Sequence, residues 1–137
     1  MSPSPRGPLI NYNLEANPLC GLGEALGHNA PCGDAPAVSP PTISWSMNST
    51  QNIVFVKNED HFFSTAPGSF AVNFVLSGSV IRLATIADNS TGWNYYYTVP
   101  VNVPAFTGTG YLQVVYSTNN PAVKNTNFYS CADIQLQ

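Results

Sequence analysis

In Phe70-Ala71-Val72-Asn73-Phe74-Val75-Leu76, the large apolar side chains stand at positions 70, 72, 74 and 76. A period of two puts all four on one face of an extended strand, because successive side chains of a β-strand point to opposite sides. Ser77-Gly78-Ser79 then breaks the run, and a second strand-like stretch follows over 80–87. A short turn of small residues between two such runs predicts a hairpin. Working outward, 43–47, 52–57, 95–103 and 111–118 are further strand-like runs, divided by polar or Pro/Gly-rich stretches. Residues 128–136 close the chain, with Phe128, Ser130, Ala132, Ile134 and Leu136 on one side. About seven short strands with turns roughly every ten residues predict an all-β chain folded as an antiparallel β-sandwich.

The first 41 residues read differently. Pro3, Pro5, Pro8, Pro18, Pro31, Pro36, Pro40 and Pro41 each remove a backbone donor and restrict the residue before them. No long helix can form there. Leu9, Ile10, Leu14 and Leu19 give this Pro/Gly-rich third something to bury. It is expected to be an extended leading segment with loops wrapped on the sheet. No repeat or boundary divides the chain, so 1–137 is expected to form one domain.

Only 8% of the 137 residues are charged, and the net charge is −3. Arg6, Lys57, Arg82 and Lys124 are scattered singly, whereas nucleic acid or an anionic membrane needs clustered cations. No apolar run reaches the roughly 20 residues that cross a bilayer. A surface of Asn, Ser, Thr and Tyr suits work among neutral glycans outside cells. Asn48-Ser49-Thr50 and Asn89-Ser90-Thr91 fit the N-glycosylation acceptor pattern and add to the expectation of secretion. Met1 to Pro8 has no signal-peptide core, so a leader is expected to lie outside this sequence.

Chemistry-bearing residues are few. His28 and His61 are the only histidines, and there is no G-x-S-x-G elbow or phosphate-cradling loop. A hydrolytic carboxylate pair could come only from Glu15, Glu24, Asp34, Glu59, Asp60, Asp88 and Asp133, whose spacing marks no pair. His61 follows an apolar strand in a loop, where a neutral imidazole suits copper or zinc, or simply caps the loop. Trp45, Trp93, Tyr95, Tyr96 and Tyr97 could stack on sugar rings, although alternation sends Tyr96 to the opposite face from its neighbours. Three cysteines, Cys20, Cys32 and Cys131, allow one internal disulfide. Cys20–Cys131 is the favoured pairing, tying the leading segment to the last strand, with Cys32–Cys131 and Cys20–Cys32 left open.

Three segments, in order along nearly the whole chain, carry a resemblance: Ser2-Pro3-Ser4-Pro5-Arg6-Gly7-Pro8-Leu9; Lys57-Asn58-Glu59-Asp60-His61-Phe62 with Pro67-Gly68-Ser69-Phe70; and Asn125-Thr126-Asn127-Phe128-Tyr129-Ser130-Cys131-Ala132-Asp133-Ile134-Gln135-Leu136. The chain resembles lytic polysaccharide monooxygenases and their chitin-binding type 4 relatives. That resemblance implies an immunoglobulin/fibronectin-like sandwich. It also implies that His61 is a copper ligand and that Phe128 is the aromatic at the axial position, which donates no electron pair. The family's copper site further uses the amine and ring of a histidine opening the mature chain, which would stand a few residues upstream of Met1. Copper-dependent oxidative cleavage of an extracellular polysaccharide is therefore expected only if a histidine precedes Met1, and non-catalytic glycan binding otherwise. A separate expectation is a glycosylated structural subunit of an extracellular filament or wall. Its extended start would complete a neighbour's sheet and so drive self-assembly into a homopolymer.

Overall fold

The computed structural model describes residues 3, 6, 29–41, 43–57, 60–89, 91–92, 95–124 and 126–137. Seven strands run in chain order: β1 (Ser44–Trp45), β2 (Thr50–Lys57), β3 (Ser69–Leu76), β4 (Ser79–Ala87), β5 (Tyr95–Asn102), β6 (Gly108–Ser117) and β7 (Asn127–Leu136). They form a five-stranded sheet ordered β1-β7-β6-β3-β4 and a two-stranded sheet of β2 and β5. This is the all-β sandwich that the alternation predicts. One junction departs from antiparallel order: β1 lies parallel to the end of β7, Ser44 against Gln135 and Trp45 against Leu136.

The core lies where the alternating faces meet. Phe70, Val72 and Phe74 of β3, Leu112, Val114 and Tyr116 of β6, and Phe128, Ile134 and Leu136 of β7 face Ile53 and Phe55 of β2 and Tyr97, Val99 and Val101 of β5. Burying an aliphatic or phenyl side chain of this size contributes about 1.5–3 kcal/mol each. Trp45 joins this core at 8% exposure, so it is not a sugar-stacking platform. The parallel contact with β7 turns the indole inward, beside Leu136.

At the β3–β4 hairpin, Ser77 (φ 49°) and Gly78 (φ 82°) both take the left-handed region, and Leu76 pairs with Ser79. Two central residues with positive φ give the turn whose twist matches that of the flanking strands. β4 is an edge strand. Its pairing with β3 shifts between Val72 and Asn73, and Arg82 donates from Nε to Asn73 Oδ1 at 2.6 Å. A bulge and a charge both discourage a further strand from adding at that edge.

The described part of the leading segment covers the outer face of the large sheet. Asn73 donates to Gln113 Oε1 (2.8 Å), and Gln113 Nε2 donates to the Pro31 carbonyl (2.8 Å). Next to this row, Cys131 of β7 is disulfide-bonded to Cys32, with Cα atoms 5.4 Å apart. That corrects the favoured pairing of Cys20 with Cys131. The turn over 31–34 lands on the outside of β7 and brings Cys32 within bonding range. Cys20 lies outside the described residues, as do His28 and Trp93.

Asp133, two residues along β7, grips the same segment. It accepts two hydrogen bonds from the Arg6 guanidinium and one from the Val38 amide (2.8 Å). Arg6 also donates its backbone N–H to the Cys131 carbonyl (2.7 Å) and lays its guanidinium over the Tyr111 ring at 4.7 Å. Burial by itself would raise the Asp133 carboxyl. The Arg6 hydrogen bonds, the Val38 amide and the Arg6 charge outweigh it, and the net shift is downward from 3.8.

Two outcomes follow for stability. The Cys32–Cys131 bond spans 99 residues, so its removal by Cys32→Ser is expected to cost about 4–5 kcal/mol on the loop-entropy account, read from urea unfolding of oxidised protein. Asp133, with a lowered folded value, contributes stability above its unfolded value that is lost as pH falls through the folded one. Thermal melting followed from pH 6 to pH 2 should therefore fall less steeply in Asp133→Asn than in the parent.

Candidate functional site

Three loops meet at the end of the sandwich where β2 finishes: the stretch at 60–68 before β3, residues 88–89 and 91–92 after β4, and residues 118–124 and 126 between β6 and β7. Backbone and side-chain hydrogen bonds tie them together. Asp88 donates its amide to the Gly68 carbonyl (2.9 Å), Thr118 Oγ1 donates to the His61 carbonyl (2.8 Å), and Asn119 Nδ2 donates to the Pro67 carbonyl (3.0 Å). Gly68 is pressed against the backbone of Ser117 and Thr118, where a Cβ has no room. A side chain there would lift the His61 loop off the end of β6.

His61 is half-buried in this loop, and its ring stacks on two residues of the large sheet. Phe128, at the start of β7, has its centroid 5.0 Å away at 20°, and Tyr116, near the end of β6, is 6.4 Å away at 9°. Tyr116 and Phe128 stack in turn at 5.7 Å. The contacts continue inward through Phe70 (4.4 Å from Tyr116) and Tyr97 (4.6 Å from Phe70), and return to the surface at Tyr95 (4.9 Å from Tyr97). Offset aromatic contacts of this kind add about 0.5–1.5 kcal/mol each beyond burial. The two residues that the family resemblance placed in one site, 61 and 128, thus share one ring stack.

Beneath the stack lies a polar cluster that sequence reasoning missed. Lys57, 2% exposed, ion-pairs through Nζ with Asp88, 1% exposed, at 2.8 Å, and reaches Asp60 Oδ1 at 3.4 Å. The two oxygens of Asp88 also accept from the phenols: Tyr97 to Oδ1 (3.2 Å) and Tyr116 to Oδ2 (2.6 Å). Burial raises both phenols well above their ordinary value, and the Asp88 charge and its hydrogen bonds raise them further. Both tyrosines therefore stay protonated and serve Asp88 as donors. A signal for this cluster was present in β2, where Ile53, Phe55 and Lys57 share one buried face. A lysine continuing an apolar face needs a buried partner.

Asp88 is too deeply buried to touch a sugar ring, which removes it as half of a hydrolytic pair. Asp34 hydrogen-bonds Asn29 at an exposed turn, and Asp133 is held by Arg6. Glu15, Glu24 and Glu59 lie outside the described residues. Of the aromatic platforms, Tyr97 is buried in the core, while Tyr95 and Tyr96 are 46% and 58% exposed.

A copper ion needs several nitrogen, sulfur or oxygen donors converging on one point. His61 contributes one imidazole, Phe128 contributes none, and no group of three His, Cys, Asp or Glu able to hold a metal occurs among the described residues. The described residues do not fit a copper ion.

No protein-family model and no curated protein matches the chain. Solved structures do. A lytic polysaccharide monooxygenase important for efficient utilization of chitin in Cellvibrio japonicus aligns with 94% of this chain and 73% of its own, at 16% identity and a TM-score of 0.50. A superoxide reductase (neelaredoxin) from Ignicoccus hospitalis aligns with 69% of this chain and 74% of its own, at 9% identity and a TM-score of 0.51. A monooxygenase of the same class from Kitasatospora papulosa covers 70% of this chain and 51% of its own, at 11% identity and a TM-score of 0.49. The chain has a monooxygenase-like sandwich fold. Because a superoxide reductase shares it, the fold alone assigns no activity.

Disrupting the buried cluster should be costly. Lys57→Met leaves the Asp88 carboxylate buried without its cation, an expected loss of about 3–5 kcal/mol in urea unfolding. Tyr116→Phe removes one donor and should cost about 1–3 kcal/mol.

Proposed function

We propose that this chain is a secreted, single-domain, polysaccharide-associated protein that meets an extracellular glycan with the His61 end of its sandwich. The observation that carries the reading is the stacking of His61 on Phe128, two residues 67 positions apart that the resemblance assigns to one site. The rim of that end supports it. Ser64, Thr65, Thr91, Asn119 and Thr126 are exposed there, all neutral and all able to hydrogen-bond sugar hydroxyls. A neutral polymer presents many hydroxyls, so a rim of mostly neutral side chains around the half-buried His61 ring suits it, with Lys124 the exposed cation of the same stretch.

In this reading the chain's residues bind and orient. The buried Lys57–Asp88 cluster fixes Tyr116, Tyr116 and Phe128 fix the His61 ring, and the rim side chains hold the polymer. Oxidative cleavage is reserved for a mature protein that opens on a histidine, since copper needs a donor beyond those described.

The test is depletion of the full chain from solution by insoluble chitin and cellulose. Retention on at least one polymer, reduced severalfold in His61→Ala, is the expected result. Complete recovery in the supernatant with both polymers overturns the proposal. Mass spectrometry of protein from its native source gives the mature N-terminus. An opening histidine together with one bound copper per chain would move the reading from binding to oxidative cleavage.

A further inference from the structure

We infer that Asn48 and Asn89 are both N-glycan acceptors, an assignment that rests on the secretion proposed above. The asparagines of the described strands, Asn52, Asn73, Asn102 and Asn127, have no Ser or Thr two residues on. The two that do carry identical Asn-Ser-Thr triplets, and both sit in exposed connections. An acceptor triplet belongs on such a surface loop.

Each position can carry a large substituent without disturbing the fold. Asn48 stands at the turn between β1 and β2 with φ 57°, a left-handed conformation that asparagine tolerates better than most residues. The turn is held by other groups: the Asn48 amide donates to the Val103 carbonyl (3.2 Å), and Ser49 donates through both its amide (3.3 Å) and its hydroxyl (2.6 Å) to the Ser46 carbonyl. The Asn48 side-chain amide takes no part in these bonds. Asn89 follows the buried Asp88, whose links to Lys57, Tyr97 and Tyr116 anchor the chain and leave the next residue exposed.

The two sites lie at opposite ends. β2 separates the Asn48 turn from Lys57 by eight residues, about 25 Å of strand. A glycan on Asn89 stands beside the His61 rim, and one on Asn48 stands at the far end. In each case the asparagine side-chain nitrogen would form a bond to C1 of a lipid-linked oligosaccharide. The nitrogen loses one proton, the C1–O bond to the donor breaks, and the lipid pyrophosphate departs as the leaving group.

The experiment is secretion of the full chain, with a leader, from a eukaryotic host. Peptide mass spectrometry follows before and after an amidase that removes N-glycans. Two occupied sites are expected, with Asn48→Gln and Asn89→Gln each losing one. Thr50→Ala should lose the same glycan as Asn48→Gln while keeping the asparagine. A wholly unmodified asparagine at either position, in a culture whose other secreted glycoproteins are modified, overturns the assignment there. Polysaccharide depletion, run on the same preparations, reads the binding proposal separately, so failure of one does not count as failure of the other.

Discussion

The salt bridge between Lys57 and Asp88 holds the two layers of this protein together at the end that carries His61. Lys57 closes β2 of the two-stranded sheet, and Asp88 follows β4 of the five-stranded one. Tyr97 adds a second link between the layers from β5, and Tyr116, from β6 of the same sheet as β4, holds the carboxylate in place. Two charges taken out of water are stable only when matched and fully hydrogen-bonded. Asp88 meets that condition by accepting from a lysine and two phenols. The result is a rigid floor under a loop that would otherwise have only its own turns to hold it.

From that floor the site is assembled by packing. Tyr116 has its hydroxyl on Asp88 and its ring against His61, so one side chain passes the order of the buried cluster to the surface. Phe128 completes the support from the neighbouring strand. Around these rings the loops offer mostly hydroxyls and amides. A sandwich shared with a superoxide reductase and with polysaccharide monooxygenases can host several chemistries, and the side chains at this end therefore carry the functional argument.

The opposite demand is met on the outer face of the large sheet. A strand that packs one face on a core leaves its other face to solvent unless something covers it. Here Gln113, Cys131 and Asp133 hold Pro31, Cys32, Arg6 and Val38 by hydrogen bonds, a disulfide and an ion pair. The described part of the leading segment is thus tied to β6 and β7 by polar and covalent bonds, while the inner face, away from the Lys57–Asp88 cluster, relies on apolar contact.

All seven strands were legible in the chain, because period-two alternation records which side chains must leave water and does so within a few residues. The Ser77-Gly78 turn was legible for the same local reason. The low charge and the two Asn-Ser-Thr triplets are likewise properties of the sequence alone. Cys32 rather than Cys20 as the partner of Cys131, the inward turn of Trp45, and the meeting of Lys57 with Asp88 were settled only in three dimensions. Each depends on where segments far apart in sequence come to lie, and local periodicity carries no record of that distance.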